Sequence, residues 1–251
     1  MKQPIVIFGG FLTFTSLYCG LYEALQTITG LPVSIVETQS LDWITAVVAP
    51  GWRHLLGKLE RTVHKAVKQS ETGKVTLVAH SAGGILARIY LSPKAFFGHA
   101  YCGLDHVSHL ITLGSPHDAG RKFRYGGLMS RWANQHYPGA FFSPQVTYIA
   151  VAGKAIRGDP QGSQRERQVY KWYRDMTGEG AVWGDGIVPV TSALLRGAVP
   201  IVLEDVGHFA GFGPSWYGDV DVVRRWWTAM DDNERDLNAS TSEVIYTDAV
   251  V

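Results

Sequence analysis

The sequence predicts an α/β protein with a mostly parallel central sheet flanked by helices. Short apolar and β-branched runs alternate with longer stretches whose apolar residues recur at helical spacing, a pattern typical of parallel strands joined by crossover helices. The mostly apolar run Lys74–Ala79 fits a strand covered on both faces at the centre of such a sheet. The 251 residues, 46% of them hydrophobic, suit one domain with a large core.

The predicted strands and helices follow one another in a regular order, and glycine and proline residues mark several of their ends. Gly9 and Gly10 end the first strand, and Gly30 and Pro32 end the first helix. The predicted strands are Pro4–Phe8, Val33–Val36, Lys74–Ala79, His106–Leu113, Gln145–Ala152 and Pro200–Leu203. The predicted helices, each with its apolar residues on one face, are Leu17–Ile28, Trp52–Lys68, Ala82–Leu91 and Tyr217–Met230.

We predict one domain over residues 1–230 and a polar tail over 231–251, which lacks apolar periodicity. The long stretches 119–144 and 154–186 break the alternation. Both follow the C-terminal ends of strands, where a parallel sheet places its binding crevice. The first stretch is rich in aromatic and apolar residues and is expected to form a small inserted cap or lid. A mobile lid and a permanently packed helical cap remain equal alternatives.

Charge and cysteine content argue against several functions. The formal net charge of +1 provides no field that would attract nucleic acid. Neither Cys19 and Cys102 nor the His, Asp and Glu residues show metal-ligand spacing, so no metal or other cofactor is expected. The N-terminal apolar run is too short to span a membrane and lacks a cleavage site. We therefore expect a cytoplasmic protein.

The strongest functional signal is the segment Ala79-His80-Ser81-Ala82-Gly83, which joins the predicted central strand to a helix without a loop. Small residues two positions from Ser81 on either side allow a sharp turn that raises its hydroxyl above the sheet. The N–H of Ala82, at the helix N-terminus, can then face a developing oxyanion. The alternative is a serine N-cap, which is common before any helix.

A nucleophilic serine needs a base that a third group orients. In proteins with this kind of turn the base follows the last strand and comes after the acid along the chain. Of the nine histidines, His208 has this position, and Gly207 lets its loop bend sharply. We predict that His208 is the base. The alternative is an ordinary surface-loop histidine.

Four segments carry a resemblance to a known family: Val6–Phe11, His80–Gly84, Thr112–His117 and Gly184–Pro189, with His208 downstream. The chain resembles the α/β-hydrolase superfamily, and within it bacterial lipases and GPI-inositol-deacylase-like hydrolases. One departure is Ala79, where the common pattern G-x-S-x-G has its first glycine. The resemblance covers almost the whole domain and implies the α/β-hydrolase fold.

The resemblance implies that Asp185 is the acid that orients His208, because it stands in a Gly-Asp-Gly-x-Val-Pro segment. Two rivals remain open. Asp159 lies closer to the end of the preceding strand, and Asp205 lies close to His208 along the chain. Asp-Gly is also a common turn dipeptide in its own right, so a purely structural role for Asp185 is the further alternative.

The same resemblance implies a serine hydrolase that cleaves a carboxylic ester through an acyl-enzyme intermediate. The expected substrate is a small-molecule or lipid acyl ester, with transient contact to a lipid surface. We expect the Phe11 N–H to be the second oxyanion donor beside that of Ala82, since Gly9 and Gly10 let the backbone approach the substrate. The residues expected to form an apolar pocket wall are Leu12, Phe14, Leu17 and Tyr18.

Two alternatives to an esterase remain at the level of sequence. A thioesterase or an amidase could use the same Ser81, Asp185 and His208, because the triad does not select the leaving group. A non-catalytic homologue could use the same pocket to bind a ligand.

Overall fold

The computed structural model describes residues 3–120 and 127–232. At its centre lies a six-stranded sheet with the order β2-β1-β3-β4-β5-β6, in which every neighbouring pair is parallel. The strands are β1 (Ile5–Phe8), β2 (Val33–Ile35), β3 (Val75–His80), β4 (Val107–Leu113), β5 (Thr147–Lys154) and β6 (Val199–Glu204). The predicted fold class, a mostly parallel sheet flanked by helices, is confirmed.

The helices are α1 (Cys19–Thr29), α2 (Ser40–Ile44), α3 (Trp52–Val67), α4 (Ala82–Tyr90), α5 (Gly127–His136), α6 (Gln164–Thr177), α7 (Val190–Ala193) and α8 over residues 220–232. Helices α3, α4 and α5 share one apolar cluster with one face of the sheet, and α1 and α8 share another with the opposite face. Both faces of β3 are therefore covered, and all six of its residues are buried. This arrangement fixes the C-terminal end of β3 rigidly.

Four helical segments named here differ from the sequence prediction. The first predicted helix begins as a 3-10 turn at Thr15–Tyr18 and becomes α-helical only at Cys19. The short α2 and the longer α6 were not predicted as elements. The predicted helix Tyr217–Met230 begins three residues late, at residue 220. The reason is that Tyr217 is drawn inward, where its hydroxyl is bound by Asp185.

Within the described part of 119–144, residues 127–136 form α5, which packs on α4. Met129 and Ala133 are buried in the same cluster as Leu86, and Arg88 donates a hydrogen bond of 2.9 Å to Asn134 Oδ1. Residues 121–126 lie outside the described part of the chain, so the choice between a mobile lid and a fixed cap stays a prediction. The predicted polar tail also lies outside it from residue 233 onward, while residues 231–232 continue α8.

Two further predictions concern the membrane and the thiols. Within residues 3–120 and 127–232, no helix has the length and apolar character needed to cross a membrane. Both cysteines are free thiols, Cys19 exposed and Cys102 half-buried.

Candidate active site

Ser81 occupies a strained turn between β3 and α4. Its backbone angles are φ 54° and ψ −130°, a combination that costs a non-glycine residue on the order of 1–3 kcal/mol. The turn is tight enough that a Cβ on Gly83 would overlap the carbonyl oxygen of Gly9. Ala79, two residues before Ser81, is fully buried. This geometry leaves the Ser81 side chain half-buried at the C-terminal end of the central strand, where a substrate could reach it.

The structure brings His208 to the serine across 127 positions of sequence. His208 Nε2 lies 3.0 Å from Ser81 Oγ, and its side chain is only 1% exposed. It follows β6 and the short strand Val206–Gly207, which pairs with Ser215–Trp216. Gly207 makes this possible because a Cβ there would lie 2.6 Å from the Gly213 nitrogen. Gly207 is thus required for close packing within a short strand, and the sharp bend expected there stays a prediction.

Asp185 completes the hydrogen-bonded chain. Its Oδ2 lies 2.8 Å from His208 Nδ1, and the carboxylate is fully buried. Because a carboxylate only accepts, Nδ1 carries the proton and Nε2 turns its lone pair toward the Ser81 hydroxyl. The His208 N–H also donates to the Asp185 carbonyl at 2.8 Å, so backbone and side chain hold the two residues together.

The other carboxylate contacts keep Asp185 in place. Its Oδ1 accepts hydrogen bonds from the N–H groups of Ile187 at 3.0 Å and Val188 at 2.7 Å. This is the turn role that the Asp-Gly dipeptide suggests, so the turn and the contact with His208 coexist on different oxygens. Tyr217 donates to Oδ2 at 2.9 Å, and burial together with the Asp185 charge raises the pKa of Tyr217 well above its usual value. The phenol thus stays a donor.

The rival acids lie elsewhere. Asp159 Oδ1 accepts from the Gln161 N–H at 2.8 Å, which closes a local turn. Asp205 is exposed and has a left-handed backbone with φ 64°. Its carbonyl accepts hydrogen bonds from Ser215. Within the described residues, Asp185 is the carboxylate in contact with the His208 ring.

The loop after β1 passes directly over Ser81. A Cβ on Gly10 would lie 2.6 Å from Ser81 Cβ, so only glycine allows this approach. The Gly10 N–H donates to the Tyr18 hydroxyl at 2.9 Å, which leaves the next amide, that of Phe11, as this loop's candidate oxyanion donor. Ala82 is the first residue of α4, and an amide at that position has no acceptor within its helix. Both donors stay predictions.

The predicted pocket wall is corrected at two positions. Leu12 and Phe14 are 49% and 48% exposed beside the Gly10 loop, compatible with contact to a substrate. Leu17 instead packs against the cluster formed by α1 and α8, because the 3-10 turn directs it to that face. Tyr18 is 1% exposed, and its hydroxyl bonds to Gly10 beneath the loop. Tyr18 as a pocket-wall residue is therefore wrong.

Sequence analysis missed two groups beside the site. Tyr217 lies at the start of a predicted helix, and no local pattern indicates its contact with Asp185. The second group is His80, whose role was not foreseen. Its ring centroid is 4.7 Å from that of His208. Burial, and secondarily His208, lower the pKa of His80 well below its usual value, so it is neutral.

The site has the form of a Ser–His–Asp arrangement. Among the described residues, no group of three or more His, Cys, Asp or Glu side chains is placed to hold a metal ion. Such an arrangement can deprotonate a serine and stabilise the resulting imidazolium.

Comparison with known protein families finds a match over part of the chain. The family model described as "PGAP1-like alpha/beta domain" matches residues 52–134, which span α3, β3, Ser81, α4, β4 and the described part of α5 up to Asn134. No curated protein matches the chain.

Solved structures resemble the chain at low identity. A protein of Lactobacillus plantarum WCFS1 is 13% identical, covering 95% of this chain and 97% of its own, with a TM-score of 0.49. The alpha/beta hydrolase enzyme MGS-MChE2, from a Moroccan lagoon sediment metagenome, is 15% identical over 92% and 93%, with a TM-score of 0.48. Aspergillus fumigatus lipase B is 13% identical over 73% of this chain and 42% of its own, with a TM-score of 0.45. Nothing about substrate follows from similarities this low.

Proposed function

We propose that this chain is a serine hydrolase of the α/β-hydrolase superfamily and that it cleaves carboxylic esters through an acyl-enzyme intermediate. The observation that carries the proposal is the 3.0 Å contact between Ser81 Oγ and His208 Nε2. Ser81 lies at a strained strand-to-helix turn, which is the structural context that a nucleophilic serine of this type requires.

The reaction would proceed in two halves. His208 Nε2 takes the proton of Ser81 Oγ as that oxygen attacks the ester carbonyl carbon. The amides of Ala82 and Phe11 would hold the oxyanion, and the buried Asp185 carboxylate stabilises the imidazolium. When the carbon–oxygen bond to the alcohol breaks, His208 returns the proton to the leaving alcohol. Water then attacks the acyl-serine and loses a proton to His208. As the bond between the acyl carbon and Ser81 Oγ breaks, His208 returns this proton to Oγ, and the acid and free Ser81 are released.

The apolar loop after β1 favours an acyl substrate. Leu12 and Phe14 present about half of their surface to solvent next to Gly10, which lies against Ser81. Exposed apolar side chains at the rim of a polar site are typical of surfaces that contact apolar ligands. We therefore propose an ester with an apolar acyl group as the substrate class.

Replacing Ser81 tests the proposal. In Ser81→Ala, kcat for ester hydrolysis is expected to fall by on the order of 10⁴ to 10⁶, because the acyl-enzyme can no longer form. The matched control is Ser115→Ala, which removes another buried serine hydroxyl next to α4 and is expected to keep normal activity. Near-normal turnover by folded Ser81→Ala would refute the proposal.

The leaving group is tested separately with one acyl chain presented as an ester, a thioester and an amide, in graded chain lengths. The proposal predicts the highest kcat/KM for esters and a rise in kcat/KM as the acyl chain lengthens. A preference for thioesters or amides, abolished by Ser81→Ala, would keep the nucleophile and replace the ester assignment.

A further inference from the structure

Tyr18 lies between the loop after β1 and the residue that precedes Ser81. Its hydroxyl oxygen accepts the Gly10 N–H at 2.9 Å and lies 2.9 Å from His80 Nδ1. A weaker alternative acceptor for its proton, Thr13 Oγ1, is 3.3 Å away. Burial raises the pKa of Tyr18 to about 12, so the phenol keeps its proton.

The second nitrogen of His80 fixes the direction of these bonds. His80 Nε2 lies 3.1 Å from the carbonyl oxygen of His208. Because a carbonyl can only accept, Nε2 carries the proton of the neutral ring, and Nδ1 is left as an acceptor. The Tyr18 hydroxyl therefore donates to Nδ1 while it accepts from Gly10.

The result is one unbroken chain of hydrogen bonds that runs from Gly10 N–H through Tyr18 and His80 to the His208 carbonyl. Its first end is the loop whose backbone lies against Ser81, and its last end is the backbone of the candidate base. Both side chains are about 1% exposed. Apolar side chains of the same size would fill this space equally well, but they would leave the Gly10 N–H without its acceptor.

We propose that Tyr18 and His80 are positioning residues that hold the oxyanion loop at a fixed distance from His208. The inference rests on the proposed function and adds the two side chains that align its two halves. Fully partnered buried networks of this kind restrict geometry. A transition state that needs its oxyanion donors and its base aligned at once is sensitive to small displacements of either.

The first test is Tyr18→Phe. We expect kcat for ester hydrolysis to fall about tenfold, equivalent to the loss of one hydrogen bond, while KM changes less than twofold. The split arises because alignment matters in the transition state more than in the bound ground state. The matched control is Tyr90→Phe, which removes a buried hydroxyl that has no hydrogen-bond partner within the described part of the chain, and it should leave kcat unchanged.

The second test asks whether the two residues act as one unit. Gln at position 80 can place its amide near the former Nε2 and restore the bond to the His208 carbonyl, while Asn can restore only the Nδ1 side that faces Tyr18. We expect His80→Gln and His80→Asn each to lower kcat about tenfold, because each leaves the chain broken at one point. The double variant Tyr18→Phe/His80→Gln should then be no slower than the slower single variant.

Two outcomes would overturn the proposal. The first is a kcat within twofold of wild type in Tyr18→Phe at 25 °C, whether or not the melting temperature of the variant is lowered. The second is a double variant whose losses in kcat multiply. If Tyr18→Phe fails to fold, the two His80 variants decide, since a kcat within twofold of wild type in both would have the same meaning. Activity retained by Ser81→Ala would instead refute the proposed function itself, so the two failures are distinguishable.

Discussion

Two buried polar regions lie against α4, and they differ in how fully their atoms are hydrogen-bonded. At the N-terminal end, the Asp185 carboxylate accepts four hydrogen bonds, from Ile187, Val188, His208 and Tyr217. The second region is the Arg88 cluster, which we define as Arg88, Ser115, His117 and Asn134. There Arg88 Nε and Nη1, Ser115 Oγ and His117 Nδ1 have no hydrogen-bond partner among the described residues.

The difference shows where the fold demands exact geometry. An unpartnered buried polar group costs about 1–3 kcal/mol, so the Arg88 cluster weakens the fold, whereas the contacts of Asp185 hold one arrangement firmly. The Arg88 cluster borders a cavity of about 400 Å³ lined by His117, Asn134 and Arg196, so its side chains have room to shift. The fully hydrogen-bonded side chains lie around His208, where the proposed reaction needs a fixed geometry.

Among the changes that compare the two regions, Asp185→Asn should have the largest effect. An amide at this position can no longer stabilise the imidazolium and can hold the His208 ring in the wrong tautomer, so kcat should fall by about 10³ to 10⁴. Asp205→Asn and Asp159→Asn are the matched controls and should stay within threefold of wild type in steady-state kinetics. A greater loss in either control than in Asp185→Asn would transfer the role of acid to that residue.

Acid should destabilise the protein through one histidine in each region. Burial lowers the pKa of both His80 and His117 well below the usual value of 6.5. As the pH falls below 6.5, the unfolded chain binds protons that the folded chain does not, so the folded state loses stability. Each histidine should contribute about 1 kcal/mol per pH unit to this loss. Urea unfolding between pH 7 and pH 5 measures it.

His117→Gln separates the two contributions. The variant should show about half of the excess loss of stability attributable to the two histidines, because only His80 then remains. An identical pH dependence in the variant and the wild type would mean that His117 accepts a proton in the folded state.

Tyr217→Phe should have a smaller effect that appears in both rate and stability. The variant removes the donor to Asp185 Oδ2 and the acceptor of the Gly153 N–H, which lies 2.7 Å from the hydroxyl. We expect kcat to fall about tenfold and the free energy of unfolding to fall by about 1–3 kcal/mol. Wild-type values for both quantities would show that Asp185 needs no support from this phenol.

The smallest effect is expected in the Arg88 cluster. Ser115→Ala removes a hydroxyl that has no partner in the described chain, so the free energy of unfolding should stay the same or rise by up to about 1 kcal/mol. Calorimetry of Ser115→Ala and Tyr217→Phe measures the free energy of unfolding of both variants and so compares the two regions directly. If Ser115→Ala lost more than about 1 kcal/mol in free energy of unfolding, the Ser115 hydroxyl would have a hydrogen-bond partner in solution. The two regions would then not differ in how fully their polar atoms are hydrogen-bonded.

The parts of the site that sequence could predict are the local ones. The strand, the turn at Ser81 and the helix that follows are contiguous, so small residues at fixed spacing identify them. His208 could be placed because it follows the last strand. Asp185 needed the resemblance to a family, since spacing alone left Asp159 and Asp205 open.

The supporting residues could not be predicted, because their contacts are distant in sequence and depend on side-chain direction. Tyr217 meets Asp185 across 32 positions, and Tyr18 meets His80 across 62. The expected pocket wall placed Tyr18 near the site, but no sequence pattern indicated that its ring turns beneath the loop. The late start of α8 has the same origin, since the inward turn of Tyr217 is a tertiary contact.

Covalent labelling tests the central claim most directly. The wild-type protein is incubated with a fluorophosphonate, which reacts with activated serines, and the modified peptide is identified by mass spectrometry. The account predicts one adduct, on Ser81, that is absent in Ser81→Ala and formed much more slowly in Asp185→Asn. A folded wild-type protein that remains unlabelled, or is labelled at another serine, would contradict it.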